Sequence, residues 1–192
     1  MCGISGIINF NSKVDHNEVS KMNDAINYRG PDDKRVINLK FSSLGILRLS
    51  ILDLTELSNQ PFQDKDKKVT IIYNGEIYNF KELKEKYFKD QVFKSNGDGE
   101  IILRLYKKFG IDFIKLIKGM FAICIVDENY DKIYLIRDRF GIKPLYYYYN
   151  KKDNSLIFCS EIKGIVASGK YKKEINLNEA YLYLKKGFIN AT

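Results

Sequence analysis

The chain is poor in side chains that often carry chemistry, with one histidine, three cysteines and six arginines among 192 residues. The lone histidine, His16 in DHNEVS, reads as part of the exposed first turn of a helix, so no histidine is placed to form a catalytic pair with a cysteine. Three cysteines do not make a disulfide framework, and their spacing does not fit a zinc site. Cys124 in MFAICIV and Cys159 in LIFCSE read as small apolar residues of buried strands. No apolar run approaches the roughly 18 residues that a membrane span needs. The first residues also lack the basic, apolar and small-residue regions of a secretion signal. The expectation is therefore a soluble, cytoplasmic chain with no membrane partner. No segment is low in complexity and 45% of residues are hydrophobic, which predicts a folded domain with a core of its own.

The formal net charge of +8 raises the question of nucleic acid. Its lysines are scattered (Lys13, Lys40, Lys94, Lys132, Lys163), and the cluster Lys65, Lys67 and Lys68 reads as a solvated loop, so no nucleic-acid partner is expected. Arginine is used differently. Arg29, Arg48, Arg137 and Arg139 lie in short segments dense in glycine, proline and aspartate. In a lysine-rich chain such positions call for the planar fork of donors that only arginine supplies.

ISGIINF predicts a first strand, and Asp15 to about Asn27 a helix with Val19, Met22 and Ile26 on one face. YRGPDD reads as a loop, SSLGILRLSILDL as strand then turn, and VTIIYNGEIYN as strand, tight turn and entry to the helix FKELKEKYF. A further helix starts near Asp98 and stops at Gly110, and FIKLIKG predicts a short third one. The strand signals MFAICIVD, KIYLIRD, PLYYYYN and SLIFCSE follow in succession, then the helices SEIKGIVASG and NEAYLYLKKG. Without regular strand–helix alternation, the order predicts an α+β fold with largely antiparallel sheets. MFAICIV is apolar throughout, so it should be covered on both faces. The apolar helix near the end, with no polar tail after it, suggests the front part of a longer protein.

The opening MCGI places Cys2 behind the initiator methionine. A thiol nucleophile needs a base. If Met1 is removed, residue 2 supplies one itself, because an α-amine ordinarily titrates at about 7.7–8.0 and a thiol at about 8.5. Attack on an amide creates an oxyanion that needs donors. YNGE offers the Asn74 side-chain NH₂ and the backbone N–H of Gly75, although Asn-Gly is also the commonest hairpin turn. An amino-acid amide needs two charge anchors. Arg48 in LRLSILD is suited to a carboxylate. Asp98 in SNGDGE, helped by Glu76, is suited to an ammonium. A surface charge, a helix N-terminal acid and a turn carboxylate are the ordinary alternatives for these three.

The stretches MCGI, YRGPDD, LRLSILD, NQPF, YNGEIYN, SNGDGE, RDRFGIKPLYY and SEIKGI come in an order that resembles the N-terminal glutaminase domain of asparagine synthetase, a class II glutamine amidotransferase. The likeness runs from residue 2 to about 165. It implies a four-layer αββα N-terminal-nucleophile hydrolase fold over 1–192, with residues from about 176 leading toward an absent C-terminal synthetase domain. It also implies Cys2 as nucleophile and Asn74 with Gly75 as the oxyanion hole. L-glutamine would be bound by Arg48, the backbone of Leu49 and Ile51, Asn74, Glu76 and Asp98. No cofactor or metal is implied for this domain, while ATP and Mg²⁺ would serve the absent one. A homodimer stays possible. Where the family often has histidine and arginine before RLS, this chain has Ile46 and Leu47, and Tyr28 stands where histidine often precedes RGPDD. Gly97 stands where serine or aspartate is usual. Two other readings are a glutaminase feeding a different acceptor and a catalytically silent interaction module.

Overall fold

The computed structural model describes residues 1–188. They form two antiparallel sheets packed face to face, with helices on both outer sides. The first sheet has five strands in the order β2-β3-β1-β9-β8: β1 (Gly3–Asn9), β2 (Asp33–Asn38), β3 (Ser42–Arg48), β8 (Tyr146–Asn150) and β9 (Ser155–Cys159). The second has four, β4-β5-β6-β7: β4 (Phe62–Gln63), β5 (Val69–Ile77), β6 (Gly119–Asp127) and β7 (Lys132–Arg137).

Alternation along the strands builds three buried layers. Ile4, Ile8, Leu44, Ile46 and Phe158 of the first sheet meet Ile72, Ala122, Cys124 and Val126 of the second between the sheets. The intervening residues face outward. Ile7, Leu47, Ile157 and Cys159 pack against Val19, Met22 and Ile26 around α1 (His16–Ala25) and against Ile165 of α4 (Ile162–Ala167). Ile71, Tyr73, Phe121, Ile123 and Ile125 pack against α2 (Phe80–Phe88) and α3 (Gly99–Phe109). β6 is thus apolar on both faces because a sheet covers one and helices the other. This is the αββα arrangement.

The helix ends follow local chemistry. Asp15 caps α1 by accepting from Asn17 N at 2.9 Å. α3 stops at Gly110, whose φ of +58° few other residues adopt readily. FIKLIKG falls partly in a 3₁₀ turn, Gly110–Lys115, rather than in an α-helix. α5 (Leu177–Lys186) forms as expected, while residues 189–192, which end the NLNEAYLYLKKGFINAT stretch, lie outside the described residues.

Two expectations need correction, and one strand was not foreseen. Asn74-Gly75 is not a turn: β5 runs straight through it, paired with β6 from Val69↔Asp127 to Ile77↔Gly119. The glycine is required for a steric reason, since a Cβ at residue 75 would lie 2.3 Å from Met120 O and 2.7 Å from Phe121 Cα. The last residue of YRGPDD, Asp33, also opens a strand, β2, unforeseen because an edge strand reading DKRVIN carries charge where an interior one would not. β4, with two residues, gave no periodic signal.

Candidate functional site

The inner-face rows of both sheets end at the same place. In β3 the row Leu44, Ile46 continues to Arg48, and in β5 the row Thr70, Ile72 continues to Asn74 and Glu76. Ile4 of β1 follows Cys2 on the same alternation. The apolar layer between the sheets therefore gives way at one end to a thiol, a guanidinium, an amide and a carboxylate. A cleft of about 690 Å³, counting its opening to solvent, lies there, and Cys2, Arg48, Leu49, Ile51, Asn74, Gly75, Glu76 and Asp98 all line it. Those are the eight residues singled out in the sequence.

Cys2 is half-buried at the head of the central strand β1. Leu49 N donates to its sulfur at 3.3 Å, and the sulfur stands 3.6 Å from Leu49 O. Arg29 Nε donates to the Cys2 carbonyl at 3.0 Å, while Arg29 Nη1 pairs with Glu161 at 2.7 Å. Met1 also lines the cleft, with its sulfur 3.3 Å from Lys143 Nζ.

Arg48 is 7% exposed, so it is no surface charge. Its Nη1 donates to Thr55 O at 3.0 Å and to Asn59 Oδ1, and its Nη2 to Asp53 O. Leu49 and Ile51 follow on the loop after β3, and Ile51 is exposed. YRGPDD packs behind this loop: Asp32 N donates to Arg48 O at 3.0 Å and Ser50 N to Asp32 Oδ2 at 2.7 Å. Gly30 permits the approach, because a Cβ there would lie 2.4 Å from the Leu47 carbonyl carbon.

On the facing wall, Asn74 is 1% exposed and its side-chain nitrogen has no hydrogen-bond partner among the described residues. An unpaired buried amide costs about 1–3 kcal/mol, so a ligand oxygen there recovers that cost. Asp98 occupies the N-cap of α3, but its carboxylate turns to β5 instead of the helix, accepting from Tyr73 OH and from Ile77 N at 2.7 Å. Burial raises its pKa, and those two hydrogen bonds only partly offset the rise. Burial and the Asp98 charge push the Tyr73 hydroxyl well up, which keeps it a donor.

Sequence reasoning missed several residues here. Asp53 lines the cleft and accepts from Thr55 N, Thr55 Oγ1, Ser58 Oγ and Asn96 N. Those bonds, led by the one from the Thr55 hydroxyl, hold its pKa well below the usual carboxylate range. Asp138 of RDRFGIKP accepts from the N–H groups of Phe121, Phe140, Ile142 and Lys143, and Arg137 donates to the carbonyls of Gly141 and Lys143. This loop delivers Lys143 to the cleft. The arginine scarcity pointed toward Arg29 and Arg137, though not to what each one holds.

Residues 1–192 match the family described as the glutamine amidotransferase domain. A Methanocaldococcus jannaschii protein named for asparagine synthetase (glutamine-hydrolysing) is 44% identical, over 98% of this chain and 40% of its own length. Asparagine synthetase (glutamine-hydrolysing) 2 of Bacillus subtilis is 43% identical, over 94% of this chain and 24% of its own. The amidase chyE of Penicillium rubens is 34% identical, over 88% of this chain and 27% of its own. The chain thus spans less than half the length of each of these relatives.

Proposed function

The chain belongs to the glutamine amidotransferase domain family, and from that premise we propose that it hydrolyses L-glutamine to glutamate and ammonia through Cys2. The observation that carries this reading is the cleft itself, where a thiol held by Leu49 faces the unpaired, buried NH₂ of Asn74, with Arg48 and Asp98 on its walls.

Chemistry begins when Met1 has been removed and residue 2 bears a free α-amine. The amine takes the thiol proton, and the sulfur attacks the side-chain carbonyl carbon of glutamine. Asn74 NH₂ and Gly75 N–H stabilise the oxyanion. The tetrahedral adduct collapses with cleavage of the C–N bond, and the protonated amine returns its proton to the departing nitrogen, which leaves as ammonia. Water then attacks the thioester, giving up a proton to the amine. The sulfur departs, is reprotonated, and glutamate is released. Arg48 binds the substrate carboxylate with the backbone of Leu49 and Ile51, and Glu76 and Asp98 bind its ammonium.

The relatives' names and greater lengths support a larger scheme. Residues 1–192 are the glutaminase part of a cytoplasmic enzyme, and those from about 176 lead into a synthetase domain that uses this ammonia to make asparagine from aspartate with ATP and Mg²⁺. The amidase relative favours one alternative, a glutaminase that serves a different ammonia acceptor.

The test is ammonia release from glutamine by the chain with Met1 removed, verified by mass spectrometry of the N-terminus, beside Cys2→Ala. Activity should fall to background in the variant. Equal rates in both would remove Cys2 from the chemistry.

A further inference from the structure

Past its short pairing with β4, β5 has no strand partner on that edge among the described residues; the proposed oxyanion donors sit on this stretch, and one side chain outside the substrate set holds it. β4 pairs with β5 through Phe62↔Ile71 and Gln63↔Thr70. Two residues further on, the same register brings Gln60 opposite Tyr73. There the partner is a side chain: Gln60 Nε2 donates to Tyr73 O at 2.7 Å, and Tyr73 N donates to Gln60 Oε1 at 2.6 Å. One primary amide replaces a strand residue at both positions. Gln60 is 4% exposed, so these bonds are made away from competing water.

In an antiparallel strand the N–H and C=O of one residue point to one edge, and those of the next residue to the other. Tyr73 N goes to Gln60 and Ile77 N to Asp98, both away from β6. Gly75 lies midway between them, so its N–H takes the same edge, the one that opens on the cleft. The direction of that N–H, and of the Asn74 side chain on the adjoining residue, depends on how β5 is held at Tyr73. The neighbouring side chain extends the device across the cleft, since Asn59 Oδ1 accepts from Arg48 Nη1. Consecutive amides thus tie the arginine of one wall to the donor strand of the other.

We infer that Gln60 is a positioning residue for the oxyanion hole, acting through the Tyr73 peptide to aim Gly75 N–H and Asn74 NH₂. This rests on the glutaminase reading above. A residue of this kind acts on the transition state more than on substrate binding, because the oxyanion exists only there.

The experiment compares Gln60→Ala and Gln60→Glu with the wild-type chain, all with Met1 removed and folding checked by circular dichroism. Gln60→Ala should lower kcat by roughly 10- to 100-fold, with KM and the inhibition constant of glutamate within about threefold of wild type. Gln60→Glu supplies the sharper readout. Its ionised carboxylate accepts from Tyr73 N but repels Tyr73 O, whereas the protonated acid accepts one bond and donates the other as the amide does. The ratio of its kcat to wild type, taken at each pH, should therefore climb as pH falls from about 8 to 5.5, since burial beside a carbonyl raises a carboxyl pKa. The thiol and α-amine of Cys2 and the side chains of Arg48, Asp53, Glu76, Asp98 and Lys143, the charged or titratable groups sharing the cleft with Tyr73, are present in both proteins, so taking the ratio removes their common contribution. A flat ratio, or kcat and KM altered in equal proportion, would overturn the positioning role while leaving the glutaminase reading intact. A correctly processed wild type that releases no ammonia would overturn that reading, and this inference with it.

Discussion

The two walls of the cleft differ in how far their polar side chains are already satisfied. On the first-sheet wall the polar groups already have partners: Leu49 N donates to the Cys2 sulfur, and the Arg48 guanidinium donates to Thr55, Asn59 and Asp53. On the β5 wall the Asn74 NH₂ is buried with no partner among the described residues. Both walls are braced in advance, the second by Gln60 and Asp98, but the second also keeps an unsatisfied side-chain donor. Under the glutaminase reading that difference is functional, because an unpaired donor gains most from the charge that forms during reaction, while a braced arginine offers the same grip before and after.

Removing the unpaired donor tests this contrast most severely. Asn74→Ala should depress kcat by roughly 100- to 1,000-fold while KM moves little. Steady-state ammonia release reads both, and a KM effect larger than the kcat effect would erase the distinction between the walls. On the first-sheet wall the effect shifts from kcat to KM. Arg48→Lys keeps the charge but loses the fork that reaches three acceptors, so KM for glutamine should rise about 10-fold or more, with a smaller change in kcat. The same variant should melt at a lower temperature, because buried acceptors lose their donor.

Two smaller effects sharpen the picture. Tyr73→Phe removes a bond that stabilises the ionised form of Asp98, whose pKa burial already raises. The acid limb of kcat/KM should therefore move to higher pH, where an unmoved limb would take Asp98 out of ammonium binding. Asp53→Asn tests the loop that braces Arg48. The Asp53 pKa is lowered in the folded chain, so its contribution to stability is present above the ordinary carboxylate pKa and is lost as pH falls through the folded one. The melting temperature of the variant should lie below wild type at pH 7, and the gap should shrink toward pH 2.

Much of this architecture was legible because it is written in alternation. The unbroken apolar run of β6 called for cover on both faces, and the structure supplies a sheet and two helices. The eight candidate site residues stood out in the sequence as chemistry-bearing types, and the structure brings them to one cleft. What escaped was set by contacts distant in sequence. Asn-Gly signals a turn by local preference, but pairing with nine residues of β6 outweighed it. Gln60, Tyr73 and Asp53 stand within the stretches NQPF, YNGEIYN and LRLSILD, but what each one holds appears only when β4, β5 and the loop after β3 come together.

Chain ends ordinarily fray because little ties them down. Residue 2 is tied through its own side chain and its carboxyl side: by the bond from Leu49 N to its sulfur, the bond from Arg29 to its carbonyl, the ion pair of that arginine with Glu161, and the pairing of the next residue, Gly3↔Leu47, in the middle of a sheet. Nothing in that mooring depends on what precedes the cysteine. Trimming the chain by one residue would accordingly expose an amine at a fixed address.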